Sequence, residues 1–125
     1  LHDALATMLL PSASNYAVAV ARWAYGSEGA YVDAARSWLA ANGLTSTRIV
    51  DATGIDERNT STPRDLVLML KAAIRQPLIS EITQKAKYVA HPVGRPGWTI
   101  EYNNTDVIAR FQRIIEISHG HACRR

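Results

Sequence analysis

Two punctuation marks constrain this chain more than anything else in it. Asn42-Gly43 is a helix stop, because glycine enters the left-handed backbone that a helix C-terminus needs. Thr62-Pro63-Arg64-Asp65 is a helix start. Threonine offers a capping oxygen, proline gives up an N–H that the first turn leaves unbonded, and an acid stands three residues after the cap. The stretch from Leu44 to Asp56 therefore reads as irregular, with Gly54 at positive φ and Asp51 and Asp56 bonding nearby backbone as Asx-turns. A hard-cation site on Asp51, Asp56 and Glu57 is the weaker alternative.

Periodicity fills in the rest. Residues 2–10 form a helical run, and residues 16–25 carry Tyr16, Val20, Trp23 and Ala24 at helical spacing, predicting a buried helix. Ser27 caps a third helix with Tyr31, Ala34, Ala35, Trp38 and Leu39 on one stripe. The helix opened by Thr62 runs toward Arg75, Gln76-Pro77 ends it, and a short helix over residues 78–83 follows. Tyr88-Val89-Ala90-His91, a turn at residues 93–97, and residues 98–102 read as a β-hairpin. The fold class is mainly α, with a small β remnant, in one unit over residues 1–125 whose tail, 109–125, diverges.

At 47% hydrophobic, 125 residues suffice for one core. No apolar run approaches the ~20 residues of a membrane span. The net charge of +3 comes from dispersed basic residues, with no basic face interleaved with aromatics, so nucleic acid is not expected as a partner. Cys123 is the one cysteine, which excludes an intramolecular disulfide.

Three blocks carry chemistry. The first is Leu9-Leu10-Pro11-Ser12-Ala13-Ser14-Asn15-Tyr16-Ala17, the second runs from Gly43 to Leu70, and the third is Tyr102-Asn103-Asn104-Thr105-Asp106. In this order and spacing they resemble the penicillin-recognising, serine-type D-alanyl-D-alanine carboxypeptidases: the Ser-x-Asn motif, the Gly-Leu…Asp-x-x-Gly-[Leu/Ile]-Asp…Ser-Thr-x-Arg-Asp signature, and the Asn-[Thr/Ser]-[Asn/Asp] element. The resemblance implies the helix-rich part of a carboxypeptidase/β-lactamase-like domain. It also implies peptidoglycan stem peptides ending in D-Ala-D-Ala as substrate, covalent inhibition by β-lactams, no cofactor, and action in the cell envelope.

Under that resemblance Ser12 takes the motif serine, which relays a proton between the lysine and the leaving amine. The asparagine position, whose amide holds the substrate's acyl-side carbonyl, falls on Ser14, with Asn15 one step later. Without the resemblance, Pro11-Ser12-Ala13-Ser14 reads as a turn capping the next helix. Ser118, His119 and Gly120 lie where the third motif, Lys-Thr-Gly, binds the substrate carboxylate, with Ser118 and His119 in place of lysine and threonine.

The motif that begins the chemistry, Ser-x-x-Lys, does not occur: none of the eight serines has lysine three positions on. Ser61-Thr62-Pro63-Arg64 comes nearest, and arginine does not serve as a base. The chain opens at Leu1 directly into a helical run and reads as an internal piece of a longer polypeptide, inactive alone. His119, His121 and Cys123 alternate as zinc ligands could on a strand, but a fourth ligand is not evident, and no metal is expected. Two other readings are a non-catalytic stem-peptide module and an inert helical module. Apolar side chains at Tyr31, Trp38, Leu66, Leu70 and Ile74, made for strands this chain lacks, predict self-association into homo-oligomers.

Overall fold

The computed structural model describes residues 1–106. Five helices, α1 His2–Leu9, α2 Ser14–Tyr25, α3 Glu28–Ala41, α4 Pro63–Ile74 and α5 Pro77–Thr83, precede a hairpin of β1 Lys87–Ala90 and β2 Ile100–Asn103. The mainly helical reading with one small hairpin is borne out. Helix α1 is the hub, packing on α2, α5 and β1. Its Ala6 and its C-cap Leu10 close a core with Ile82 of α5, and Leu5, Leu9, Leu78 and Tyr88 pack around them.

The helix ends follow local chemistry. The Ser27 oxygen accepts from the Ala30 N–H at 3.0 Å. Gly43, at φ 69°, lets its own N–H reach the Ala40 carbonyl and the Leu44 N–H reach the Leu39 carbonyl, the paired bonds of a Schellman stop. Thr62 caps α4 by accepting from the Asp65 N–H. Asp65 does not turn back on the cap, however. Its carboxylate is buried and accepts from the Ser46 N–H at 3.1 Å and the Thr47 hydroxyl at 2.9 Å. It thus ties the loop after α3 to the first turn of α4.

Two helical stripes need correction. Helix α2 starts at Ser14, two residues before the expected boundary, and its buried residue is Ala21, while Trp23 is 72% exposed. Small residues let α2 approach its neighbours closely. Trp23 is left lining an open cleft of about 350 Å³ with Leu1, Ala4, Tyr16, Ala19 and Val20. In α3 the buried positions are Val32 and Leu39, and Trp38 is exposed. Periodicity located a stripe in each helix; the neighbouring elements chose which part of it to cover.

The hairpin pairs Tyr88 with Tyr102 and Ala90 with Ile100 in antiparallel register. Lys87 bonds Glu101 at 3.0 Å across its exposed face. On the other face the Tyr88 hydroxyl donates to Asp3, and His2 Nδ1 lies 3.1 Å from the same oxygen, fastening the hairpin to the start of α1. The Asp3 carboxylate pushes the Tyr88 phenol up to about 12. On α4 the side chains of Leu66, Val67, Leu70 and Ile74 remain exposed. Among the described residues no helix is long and apolar enough to cross a membrane.

Candidate active site

The connection from α1 to α2 is four residues long and holds the first of the three blocks. Leu10 ends α1 in helical geometry, Pro11 follows, and Ser12 stands at φ 57°, the one non-glycine residue with positive φ among those described. The Ala13 N–H reaches back to the Met8 carbonyl at 3.2 Å. Ser12 therefore occupies the left-handed position of a helix stop, where glycine is the ordinary occupant and an L side chain costs of order 1–2 kcal/mol. Residues held in sparsely populated backbone regions cluster at active sites and ligand clamps.

Ala13 then serves as the N-cap of α2, with no side-chain cap. Its carbonyl accepts from the Tyr16 N–H at 3.0 Å and the Ala17 N–H at 3.3 Å. The Ser12 hydroxyl does not cap the helix, so the plain capping reading of this turn fails. Ser12 is exposed, Ser14 is the half-buried first residue of α2, and Asn15 is exposed beside it. The structure thus brings Ser12, Ser14 and Asn15 together within one turn. Ser118, His119 and Gly120, and with them His121 and Cys123, lie outside the described residues.

The turn does not stand alone. Leu10 is buried, and its carbonyl accepts both the Thr105 N–H at 2.9 Å and the Thr105 hydroxyl at 3.1 Å. Next to Thr105, buried Asn104 spends its side-chain NH₂ on the Thr83 and Lys85 carbonyls, at 3.1 and 2.9 Å. Its N–H goes to Ala86 at 2.9 Å, and its side-chain oxygen accepts from the Asp106 N–H at 2.9 Å. A cleft of about 320 Å³ lies along this junction, lined by Leu9, Leu10, Thr83 and residues 104–106. Asn104 and Thr105 received no site role from sequence alone. Their place in the Asn-Thr-Asp block was the signal. At the start of α2, Tyr16 neighbours Tyr102, whose phenol is pushed up first by burial and then by that neighbour.

The loop from Leu44 to Thr62 is structural. Asp51 accepts from the Thr53 hydroxyl, the Asn59 side chain at 2.6 Å and the Gly54 N–H at 3.0 Å, with Gly54 at φ 76°. The Thr53 hydroxyl above all, then the other donors, holds its carboxyl below the usual range. Asp56 accepts from the Arg58 N–H and side chain, and the guanidinium holds its carboxyl down at about 2. Both carboxylates are spent on protein donors, as the Asx-turn reading expected. Among the described residues no group of three metal-ligating side chains is assembled.

Replacing Ser12 by glycine should raise stability by about 0.5–1 kcal/mol, because glycine adopts positive φ freely and the relief exceeds its greater unfolded-state entropy. The urea midpoint checks it. A fall in the midpoint would mean that the Ser12 side chain contributes to the fold itself.

The chain is similar to known proteins over most of its length. The model of the D-alanyl-D-alanine carboxypeptidase family matches residues 1–117. A D-alanyl-D-alanine endopeptidase of Pseudomonas aeruginosa is 34% identical over 105 residues, covering 83% of this chain and 33% of the relative. One of Escherichia coli with the same name is 30% identical over 104 residues, with coverage of 83% and 33%. The chain spans about a third of the length of these curated relatives. Among solved structures, a D-alanyl-D-alanine carboxypeptidase of Mycobacterium tuberculosis superposes with a TM-score of 0.76 at 23% identity, over 86% of this chain and 40% of that one. Penicillin-binding protein 6B of Escherichia coli gives 0.73 at 18%, over 86% and 32%.

Proposed function

Because the chain belongs to the D-alanyl-D-alanine carboxypeptidase family, we propose that its α1–α2 turn is one wall of a serine-type site for stem peptides ending in D-Ala-D-Ala. The observation that carries this reading is Ser12, held exposed at φ 57° in a turn its hydroxyl does not cap. In the complete enzyme a nucleophilic serine, activated by a lysine one helical turn on, attacks the carbonyl of the penultimate D-Ala. The lysine takes the serine proton as the new C–O bond forms. When the tetrahedral centre collapses, the C–N bond breaks, and the Ser12 hydroxyl passes the proton from the lysine to the departing amine of D-alanine. Water then attacks the acyl-serine, releasing the shortened peptide as a carboxylic acid and restoring the serine.

Asn15 and Ser14 fix the substrate. An amide donates to the acyl-side carbonyl and accepts from a peptide N–H at once, whereas a hydroxyl of Ser14's reach makes one such bond. Ser118, His119 and Gly120 belong to the same proposal as the contact to the substrate carboxylate. β-Lactams are recognised at the same wall as mimics of D-Ala-D-Ala. The work is done in the cell envelope, and no cofactor enters it. Exposed apolar side chains on α4 support self-association of the chain. A second reading, a module that holds stem peptides without cleaving them, is favoured by one fact: these 125 residues contain no Ser-x-x-Lys.

A labelled penicillin should therefore leave no stoichiometric adduct on this 125-residue chain, as read by intact mass. An adduct that survives Ser12→Ala and is lost on changing a different serine would reveal a nucleophile within the chain and overturn this assignment of roles.

A further inference from the structure

The Ser12 turn is anchored on both sides, and one anchor comes from the far end of the described chain. After Ser12, the Ala13 N–H is fixed to the Met8 carbonyl. Before it, the Leu10 carbonyl is an orphan of the α1 terminus, and Thr105 fills both of its lone pairs, one with its N–H and one with its hydroxyl. That carbonyl belongs to the peptide plane joining Leu10 to Pro11. The proline ring locks the next torsion, φ of Pro11. Only ψ of Pro11 remains soft between the anchored plane and the Ser12 α-carbon, and φ of Ser12 then sets the direction of its Cα–Cβ bond. Thr105 is itself immobilised through Asn104, whose side chain and N–H hold the carbonyls of Thr83, Lys85 and Ala86.

We propose that Thr105 is a positioning residue that sets the direction of the Ser12 hydroxyl, locking the turn to the end of β2. The proposal rests on reading Ser12 as the proton relay. A relay must sit within a few tenths of an ångström of its donor and acceptor, and a positive-φ serine on a four-residue connection does not hold that placement unaided. The two hydrogen bonds of Thr105 supply the constraint that the α1–α2 sequence lacks.

The test uses the isotope-labelled 125-residue chain in solution. In the unsubstituted chain, a coupling across the hydrogen bond between the Thr105 amide nitrogen and the Leu10 carbonyl carbon is expected, together with the strong intraresidue amide-to-α-proton contact of a positive φ at Ser12. Thr105→Val keeps the shape and the N–H but removes the hydroxyl. It should average out the Ser12 signature and lower Ala13 amide protection by about tenfold or more. Thr105→Ser should retain both. An unchanged Ser12 signature in Thr105→Val would overturn the proposal. So would absence of the trans-hydrogen-bond coupling, which needs no variant to fold. A D-Ala-D-Ala peptide added to the unsubstituted chain reports separately on the relay reading. Silence of Ser12 toward that peptide would overturn the relay, and with it the functional role of Thr105, while the conformational result would still stand as a fact of the fold.

Discussion

Ile82→Ala should destabilise the chain by about 2–5 kcal/mol, the cost of removing buried methyl and methylene groups and leaving the space unfilled. Ile82 is fully buried, and it meets Ala6 of α1 and the C-cap Leu10 at the point where α1, α5 and the hairpin converge. Small domains have little stability in reserve, so a loss of this size moves the urea midpoint far down or abolishes the folded baseline. Ile82→Val removes one carbon and should cost about 0.5–1.5 kcal/mol. Equal effects from the two substitutions would mean that Ile82 is not the keystone of this core.

Asp65→Ala should cost about 2–3 kcal/mol, because a buried carboxylate that accepts from an N–H and a hydroxyl makes charge-assisted bonds, and its removal takes an acceptor from both donors. Those donors are the Ser46 N–H and the Thr47 hydroxyl. Thr47 keeps a bond to Ser61 at 2.8 Å, so the Ser46 amide bears the larger loss. Hydrogen exchange should therefore quicken at Ser46 well before α4 opens. If Ser46 exchanges at its original rate in Asp65→Ala, the carboxylate does not hold the loop to α4.

What the sequence made legible was what local chemistry decides. The Ser27 and Thr62 caps, the Asn42-Gly43 stop and the Asp51 and Asp56 turns each depend on residues within a few positions of one another. Their structures agree with the expectation. Failures arose where a distant partner chose the outcome. Asp65 had the right residue type for a reciprocal cap, but the Ser46 and Thr47 donors nearly twenty residues upstream claimed it. Trp23 and Trp38 sat on helical stripes, yet small residues on α2 and Val32 on α3 made the buried contacts, leaving the indoles outside.

The candidate site divides in the same way. Ser12, Ser14 and Asn15 were legible as a motif, because spacing along one turn is a sequence property. The positive φ at Ser12 was not, since its usual sign is a glycine and none is there. Nor was the bond from Thr105 to Leu10, which spans 95 positions and depends on the hairpin folding back over the end of α1. The order of the motif blocks carried that information only as an association. The hydrogen bonds make it physical.

The central claim is that the α1–α2 turn recognises a D-Ala-D-Ala terminus, and a stereochemical titration tests it most directly. An acylated D-Ala-D-Ala peptide, titrated into the 125-residue chain and followed by amide NMR, should shift Ser12, Ser14 and Asn15 progressively. With no Ser-x-x-Lys in these 125 residues, the dissociation constant should be about millimolar, roughly −4 kcal/mol of binding free energy. The L-Ala-L-Ala isomer should shift these residues far less. Equal responses to the two isomers, or a D-Ala-D-Ala response confined to residues away from this turn, would contradict the account.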